Sequence, residues 1–238
     1  MYHKKLLQET CEKMGIPLSE EMADRFMTYL SLLLEWNKKM NLTAITEEKD
    51  VVQKHFADCL SILPHLQLAE HPRVLDVGTG AGFPGIPLKI ACPSLDITLL
   101  DSLQKRLSFL EEVTDTLSLS DVSFVHARAE DGGQNPLYRE QFDLVVSRAV
   151  AHLSVLGEYC LPFLQVGGIL AALKGPDVKT ELAESTHALA VLGGRIQNVI
   201  DIEIPFTDLE HKLVLIEKTT PTPKQYPRKA GKVTKNPL

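Results

Sequence analysis

Val74-Leu75-Asp76-Val77-Gly78-Thr79-Gly80-Ala81-Gly82-Phe83 is a short apolar run that stops at three alternating glycines and passes into helix-compatible sequence. It predicts a strand, a tight turn, and a helix entered at Phe83 with Pro84 just inside it. Glycine at 78, 80 and 82 frees the backbone for positive φ and lets a ligand lie against the main chain with no Cβ in the way. Taken alone, the pattern also fits an ordinary glycine-rich strand-to-helix turn. A second run, Asp96-Ile97-Thr98-Leu99-Leu100-Asp101, ends in a carboxylate close to the distance expected for a ribose-binding acid, whose two oxygens can accept both ribose hydroxyls.

The spacing decides which nucleotide. It is Asp76-x-Gly78-x-Gly80-x-Gly82, and Phe83 stands where the dinucleotide fingerprint needs its last glycine. A helix entered there does not approach a pyrophosphate in the usual way, so a cofactor without phosphates fits better. The arrangement resembles the cofactor loop of class I S-adenosylmethionine-dependent methyltransferases. That resemblance puts Gly78, Gly80, Gly82 and Phe83 at the cofactor and Asp101 on its ribose.

Composition sets the bounds. The chain has 238 residues, 44% hydrophobic and 24% charged, which is enough for a sizeable core and suits one domain with an appendage. No apolar stretch reaches bilayer-spanning length, and Met1-Tyr2-His3-Lys4-Lys5 leads into Gln8, Glu9 and Glu12 rather than a signal-peptide core, so a cytoplasmic protein that does not span the membrane is expected. Cysteines at 11, 59, 92 and 160 form no C-x-x-C pair, and the histidines show no ligand spacing, so packed thiols and no metal are expected. The net charge of −6 is unevenly spread: six of the 25 Lys and Arg fall in 218–238 with no acid, leaving 19 basic against 31 acidic side chains before it. Such an end attracts phosphates, or else is a solvated tail.

Three regions are expected: an N-terminal helical extension, 1–65; a body, 66–219; and a basic C-terminal tail, 220–238. In the first, Met22, Phe26, Tyr29, Leu30, Leu33 and Leu34 recur at three- and four-residue steps and form a core stripe. A further helix begins after Thr46 as N-cap, turns Val52, Phe56, Leu60 and Leu63 inward, and ends at Pro64. His55, beside that face, reads as a buried or half-buried structural histidine. From Arg73 onward, strands at 73–78, 96–101, 122–127, 142–147 and 168–174 alternate with helices that include 103–119, capped by Ser102, and 154–164. This alternation predicts an α/β doubly wound, Rossmann-like parallel sheet with its ligand at the carboxyl ends of the strands. After a helix at 177–192, strands near 195–204 and 211–218 suit the antiparallel close of a seven-stranded methyltransferase sheet.

The remaining strand ends then become readable. Arg128-Ala129-Glu130-Asp131 follows the third strand, where methyltransferases commonly place an acid near the adenine: Glu130 first, Asp131 as fallback. Ser147-Arg148-Ala149 ends the fourth strand. Arg148, the nearest candidate for a catalytic-edge residue, is expected to contact the cofactor carboxylate, a phosphate or an oxygen of the methyl acceptor. Lys174 ends the fifth strand and is either a similar contact or a plain surface lysine. The tail interleaves Lys218, Lys224, Arg228, Lys229, Lys232 and Lys235 with prolines and Tyr226, which predicts an extended segment able to track an RNA backbone.

Five blocks carry a closer resemblance: Glu35-Trp36-Asn37-Lys38-Lys39-Met40-Asn41-Leu42-Thr43, Lys54-His55-Phe56-Ala57-Asp58-Cys59-Leu60, Asp76 through Pro87, Ser147-Arg148-Ala149-Val150-Ala151, and Tyr226-Pro227-Arg228-Lys229-Ala230-Gly231. Over nearly its whole length the chain resembles the bacterial small-subunit ribosomal RNA guanine 7-methyltransferases, also called glucose-inhibited division protein B. Cys59 stands where many members have serine. The resemblance implies methylation of guanine 527 of 16S ribosomal RNA at the 7-position, with S-adenosyl-L-methionine as donor. It also implies the small ribosomal subunit or its precursor as partner, and cofactor positions at Gly78, Phe83, Ala129, Glu130 and Arg148. Lys174, Arg228 and Lys229 are the expected RNA contacts, and a monomer is expected.

The residues bear independently on the chemistry. Amino-methyltransferases usually carry an Asp or Asn-Pro-Pro-aromatic sequence after the fourth strand, where this chain has Ser-Arg-Ala. A ring nitrogen with an in-plane lone pair carries no proton and needs no general base, so catalysis would rest on alignment. The alternatives are a small-molecule methyltransferase, an NAD-dependent oxidoreductase, and a non-catalytic RNA-binding protein on the same fold.

Overall fold

The computed structural model describes residues 1–148 and 151–238; the Ser147-Arg148-Ala149-Val150-Ala151 block is therefore followed to Arg148 and from Ala151, with Ala149 and Val150 outside the described residues. The chain opens with α1 (Tyr2–Lys13), α2 (Glu20–Asn37), α3 (Glu48–Val51) and, after a π-helical turn at Val52–Ala57, α4 (Asp58–Leu60). Then come β1 (Arg73–Val77), α5 (Gly85–Ala91), β2 (Asp96–Asp101), α6 (Gln104–Thr116), β3 (Val122–His126), α7 (Ala129–Gln134) and β4 (Phe142–Arg148). The chain closes with α8 (Leu153–Cys160), β5 (Leu164–Lys174), α9 (Lys179–Val191), β6 (Gly194–Glu203), β7 (Glu210–Lys218) and α10 (Lys232–Lys235).

The seven strands form one sheet in the order β3-β2-β1-β4-β5-β7-β6. β1 to β5 are parallel, and β7 runs antiparallel to both β5 and β6. The order reverses between β1 and β4, so the strand ends there open a crevice. Side chains alternate across the sheet as a two-residue period requires. Val74, Ile97, Leu99, Val146 and Leu173 pack on one face with α1, α2, α5 and α6. Leu75, Val77, Leu100, Val145 and Leu170 pack on the other with α8 and α9.

The N-terminal helices share the first of these cores. Phe26, Tyr29, Leu33, Phe56 and Leu60 are fully buried, and each such side chain is worth about 1.5–3 kcal/mol in removal from water. The rings of Tyr29 and Phe56 stack at 5.2 Å. These helices therefore form one face of the sheet's own core.

Three local expectations are corrected. Ser102 does not cap α6: the Asp101 carboxylate takes the Leu103 N–H at 2.9 Å, and the helix begins a residue later with Leu103 at the cap position. Thr46 does not cap α3, which starts at Glu48 behind Glu47 without a side-chain cap. The helix after the glycine turn starts at Gly85 rather than Phe83. The four thiols are unbridged, and burial pushes Cys11 up to about 12.

Candidate functional site

The glycine turn is built from beneath. Asp76, fully buried in β1, accepts through Oδ2 from the Thr79 hydroxyl (2.7 Å) and the Gly85 N–H (2.9 Å), clasping the two ends of the turn. Its Oδ1 has no partner, and burial raises its carboxyl to about 6. Gly78, Gly80 and Gly82 all have positive φ, at 72°, 60° and 95°. The Gly78 and Thr79 N–H groups donate to Leu100 O, that of Gly80 to Asp101 Oδ2, and those of Gly82 and Phe83 to Thr79 O. These donors face inward, so the turn has few N–H groups left to cradle a pyrophosphate. It fits a phosphate-free nucleoside.

Two crevices meet at this turn. The first, about 520 Å³, lies between Gly78, Asp101, Ala129, Glu130, Tyr159 and Arg148. Asp101, only 2% exposed, is fixed by the N–H groups of Gly80 and Leu103 and by Arg106 Nη1 at 3.3 Å. It is thus the anchor of the turn as well as an acceptor at the crevice. Of the two acids expected after β3, Glu130 is buried and lines the crevice, and Asp131 is exposed. The second crevice, about 450 Å³, shares Gly78 and Arg148 and continues past Gly80 and Phe83 to Thr43, His55, Lys174 and His211. A further depression, about 690 Å³, lies at the β6–β7 turn with Asp201, Glu203, Asp208 and Glu210 in its wall, which repel phosphate, and it shares Leu209 with the second crevice.

The expected site residues thus divide. Gly78 and Arg148 stand at the junction, Asp101, Ala129 and Glu130 at the first crevice, and Gly80, Phe83 and Lys174 at the second. Gly82 faces neither: a Cβ there would come within 2.6 Å of the Tyr29 hydroxyl and 2.8 Å of both Ile86 and Leu110, so its bareness serves packing against α2, α5 and α6. Lys174 is tied to Glu181 (2.6 Å) and Ala151 O (2.8 Å).

The tail departs most from expectation. Lys218 is fully buried, its ammonium on Leu161 O, Leu164 O and the Thr222 hydroxyl, and burial lowers it to about 8. It is therefore no phosphate contact. Arg228 is forked onto buried Glu158, with Nη2 to Oε2 at 2.6 Å and Nε to Oε1 at 2.9 Å. Tyr226 is buried against the α8 face. The segment is docked rather than extended in solvent, and only Lys229 of the two tail residues expected at RNA has a free side chain among the described residues.

Sequence reading missed what holds Arg148. Its Nη1 donates to Lys54 O (3.1 Å) and to Asp58 Oδ2 (3.2 Å), its Nη2 to His55 Nδ1 (3.1 Å), and its guanidinium lies 4.9 Å from the Phe83 ring centre. Asp58, fully buried, accepts from His211 Nδ1 at 2.7 Å through its other oxygen. His55 Nδ1 stands between Arg148 Nη2, which can only donate, and the Lys54 carbonyl (3.1 Å), which can only accept, while its Nε2 meets the Thr43 hydroxyl at 2.7 Å. Thr43 is held in turn by Asn37, whose side-chain amide exchanges two hydrogen bonds with its backbone at 2.9 and 3.0 Å. Both N-terminal blocks of the sequence resemblance are therefore parts of one network, half-buried at Asn37 and Thr43 and buried at His55 and Asp58, that ends on Arg148. The π-helical turn that carries His55 is a geometry often found at functional sites.

His55 and Asp76 oppose each other in pH. Burial, with Arg148 beside it, lowers His55 to about 4 from an ordinary 6.5. Between those values the unfolded chain binds more protons, so His55 costs stability as pH falls. Asp76, raised to about 6 from 3.8, does the reverse, because there the folded chain binds more protons and stability falls as pH rises. From about pH 4 to 6 the two nearly cancel. His55→Gln should therefore leave the protein gaining stability relative to the parent as pH drops through this window, by at most about 1.4 kcal/mol per pH unit. Urea midpoints at several pH values check this, and parallel profiles would contradict it.

A seven-stranded sheet of this order, with an acid-anchored glycine turn at its switch point, defines a class I methyltransferase fold. A methyltransferase solved in complex with the Haloferax volcanii Trm112 activator superposes with a TM-score of 0.60 at 16% identity, covering 79% of this chain and 98% of that one. The family described as rRNA small subunit methyltransferase G matches residues 22–209. The ribosomal RNA small subunit methyltransferases G of Alkaliphilus metalliredigens and Clostridium tetani are 51% and 50% identical over 238 residues, with full coverage of both chains in each case. The chain belongs to the rRNA small subunit methyltransferase G family.

Proposed function

We propose that this chain transfers a methyl group from S-adenosylmethionine to the 7-position of guanine 527 in 16S ribosomal RNA, acting as a cytoplasmic monomer on the small ribosomal subunit or its precursor. The observation that supports this reading is the meeting of two crevices at Gly78 and Arg148 in a chain of this family. The first is the cofactor seat: Asp101 accepts the ribose hydroxyls, Glu130 takes the adenine side, and the turn with its inward-facing N–H groups suits a nucleoside without phosphates. The second takes the flipped-out base, with the His55 and Phe83 rings, 4.6 Å apart, in its wall.

S-adenosylmethionine supplies a sulfonium methyl whose bond to sulfur breaks as the guanine ring nitrogen donates its lone pair, leaving a neutral thioether and a cationic base. No proton moves, so the chain needs no general base. Its residues hold donor and acceptor in line, a contribution worth roughly 7–11 kcal/mol in well-oriented systems. The network on Arg148 keeps the guanidinium fixed toward Asp58 and off the attacking nitrogen, which would otherwise acquire its positive charge beside a cation.

Gly80→Val tests the seat. Gly80 lines the second crevice, and its N–H holds the Asp101 carboxylate of the first (2.9 Å); a Cβ there meets nothing closer than Gly78 O at 3.9 Å, while φ of 60° adds about 1–2 kcal/mol of strain to the turn that anchors Asp101. The variant should stay folded and lose S-adenosylhomocysteine binding in calorimetry; unchanged affinity would remove the turn from the site. The reaction itself is tested with purified chain, labelled donor and small-subunit RNA lacking the modification. Label recovered as 7-methylguanine supports the assignment, and label on an exocyclic amine or none at all refutes it.

A further inference from the structure

Residues 229–238 belong to both crevice and surface. The stretch before them is clamped: Arg139 donates to the carbonyls of Thr222 (2.7 Å), Pro223 (3.3 Å) and Tyr226 (2.8 Å), and Gln134 to those of Lys224 (3.3 Å) and Pro227 (2.8 Å). Contact is close enough that a Cβ on Gly133 would lie 2.9 Å from Pro227. Arg228 on Glu158 completes the clamp. Beyond it the chain turns through Gly231 at φ 76°, and Gly231 and Thr234 line the first crevice with Asp101, Glu130 and Tyr159. Apart from Arg139, in the turn after α7, the clamp and the crevice wall use the same two helices: α7 carries Glu130 and Gln134, and α8 carries Glu158 and Tyr159. On the same short segment Lys229, Lys232 and Lys235 are exposed and have no ion-pair partner among the described residues.

We propose that residues 229–238 are a shared binding element, closing over the cofactor through Gly231 and Thr234 while their lysines take RNA phosphates, so that RNA docking and cofactor retention strengthen each other. This rests on the function proposed above for the identity of the two ligands. The coupling is reciprocal by thermodynamic linkage, and it weakens with salt because phosphate contacts release counterions.

The test has two arms, both read as S-adenosylhomocysteine affinity by calorimetry. A chain ending at Arg228 keeps Tyr226, the Glu158 pair and the Lys218–Thr222 contact but loses the buried Val233 and the Arg228–Asn236 bond (2.9 Å); its thermal midpoint should fall, and, titrated well below that midpoint, it should bind about tenfold more weakly without RNA. Equal affinity overturns the proposal. In the second arm a 16S ribosomal RNA fragment carrying the target loop is added at saturation. The full-length parent should tighten at least about fivefold, and Lys229→Ala/Lys232→Ala/Lys235→Ala should show no such gain. RNA that is retained with the parent on filters yet leaves its affinity unchanged overturns the coupling alone. RNA that fails to bind the parent overturns the coupling and the proposed function together.

Discussion

Asp58→Ala is expected to lower the stability of the folded chain by about 3–5 kcal/mol, the usual result of removing one partner from a buried ion pair. Asp58 is fully buried between Arg148 and His211, with one oxygen on each. Its loss leaves a permanent cation, itself largely enclosed, with the Lys54 carbonyl and the His55 ring nitrogen as its remaining acceptors among the described residues. Asp58→Asn keeps the volume and one acceptor and should fall between the two. Methyl transfer should drop in both, because a released Arg148, already at the junction of the crevices, is no longer held toward Asp58 and off the attacking nitrogen. Equilibrium urea unfolding reads the stability; a loss below about 1 kcal/mol for the alanine variant would mean that Arg148 finds water and that the network does not hold it.

The second large effect is on cofactor binding. Asp101→Ala should weaken S-adenosylmethionine and S-adenosylhomocysteine alike, by about 100-fold, since both carry the same ribose and hydrogen bonds to a charged acceptor are worth about 1.5–3 kcal/mol each. The loss is compounded because Asp101 also receives the Gly80 and Leu103 N–H groups, so the turn loses its anchor. Titration of the two ligands into the variant gives the answer directly. A ligand that binds normally would place its ribose elsewhere.

The contrast between Asp101 and Asp58 shows what a sequence makes legible. Asp101 ends a strand a fixed distance after a glycine turn, and strand ends in a parallel sheet converge on one edge; periodicity and spacing alone carry it to the site. The same logic placed the strands, the core stripe of α2 and the antiparallel close. Asp58 meets Arg148 across 90 residues and His211 across 153, and no local pattern encodes such a meeting. The tail failed for the same reason. Its prolines and lysines describe an extended basic chain, whereas the partners that dock it lie far upstream, Glu158, in α8, 70 residues before Arg228 and Arg139, in the turn after α7, 83 residues before Thr222, and both are ordinary charged residues locally. Local misses have local causes: Asp101 competes with Ser102 for the start of α6, and Gly167, at φ 90°, lets β5 begin at Leu164, several residues before the regular pairing resumes at Ile169.

The central claim is that this chain places a methyl group on the ring nitrogen of one guanine in small-subunit RNA. The most direct measurement is chemical cleavage at 7-methylguanine in 16S ribosomal RNA from cells with the gene, without it, and complemented by the parent or by Asp101→Ala. Cleavage is expected at guanine 527 in the first strain, none in the second, and its return with the parent chain but not with the variant. Undiminished cleavage at that position in cells lacking the gene would contradict it.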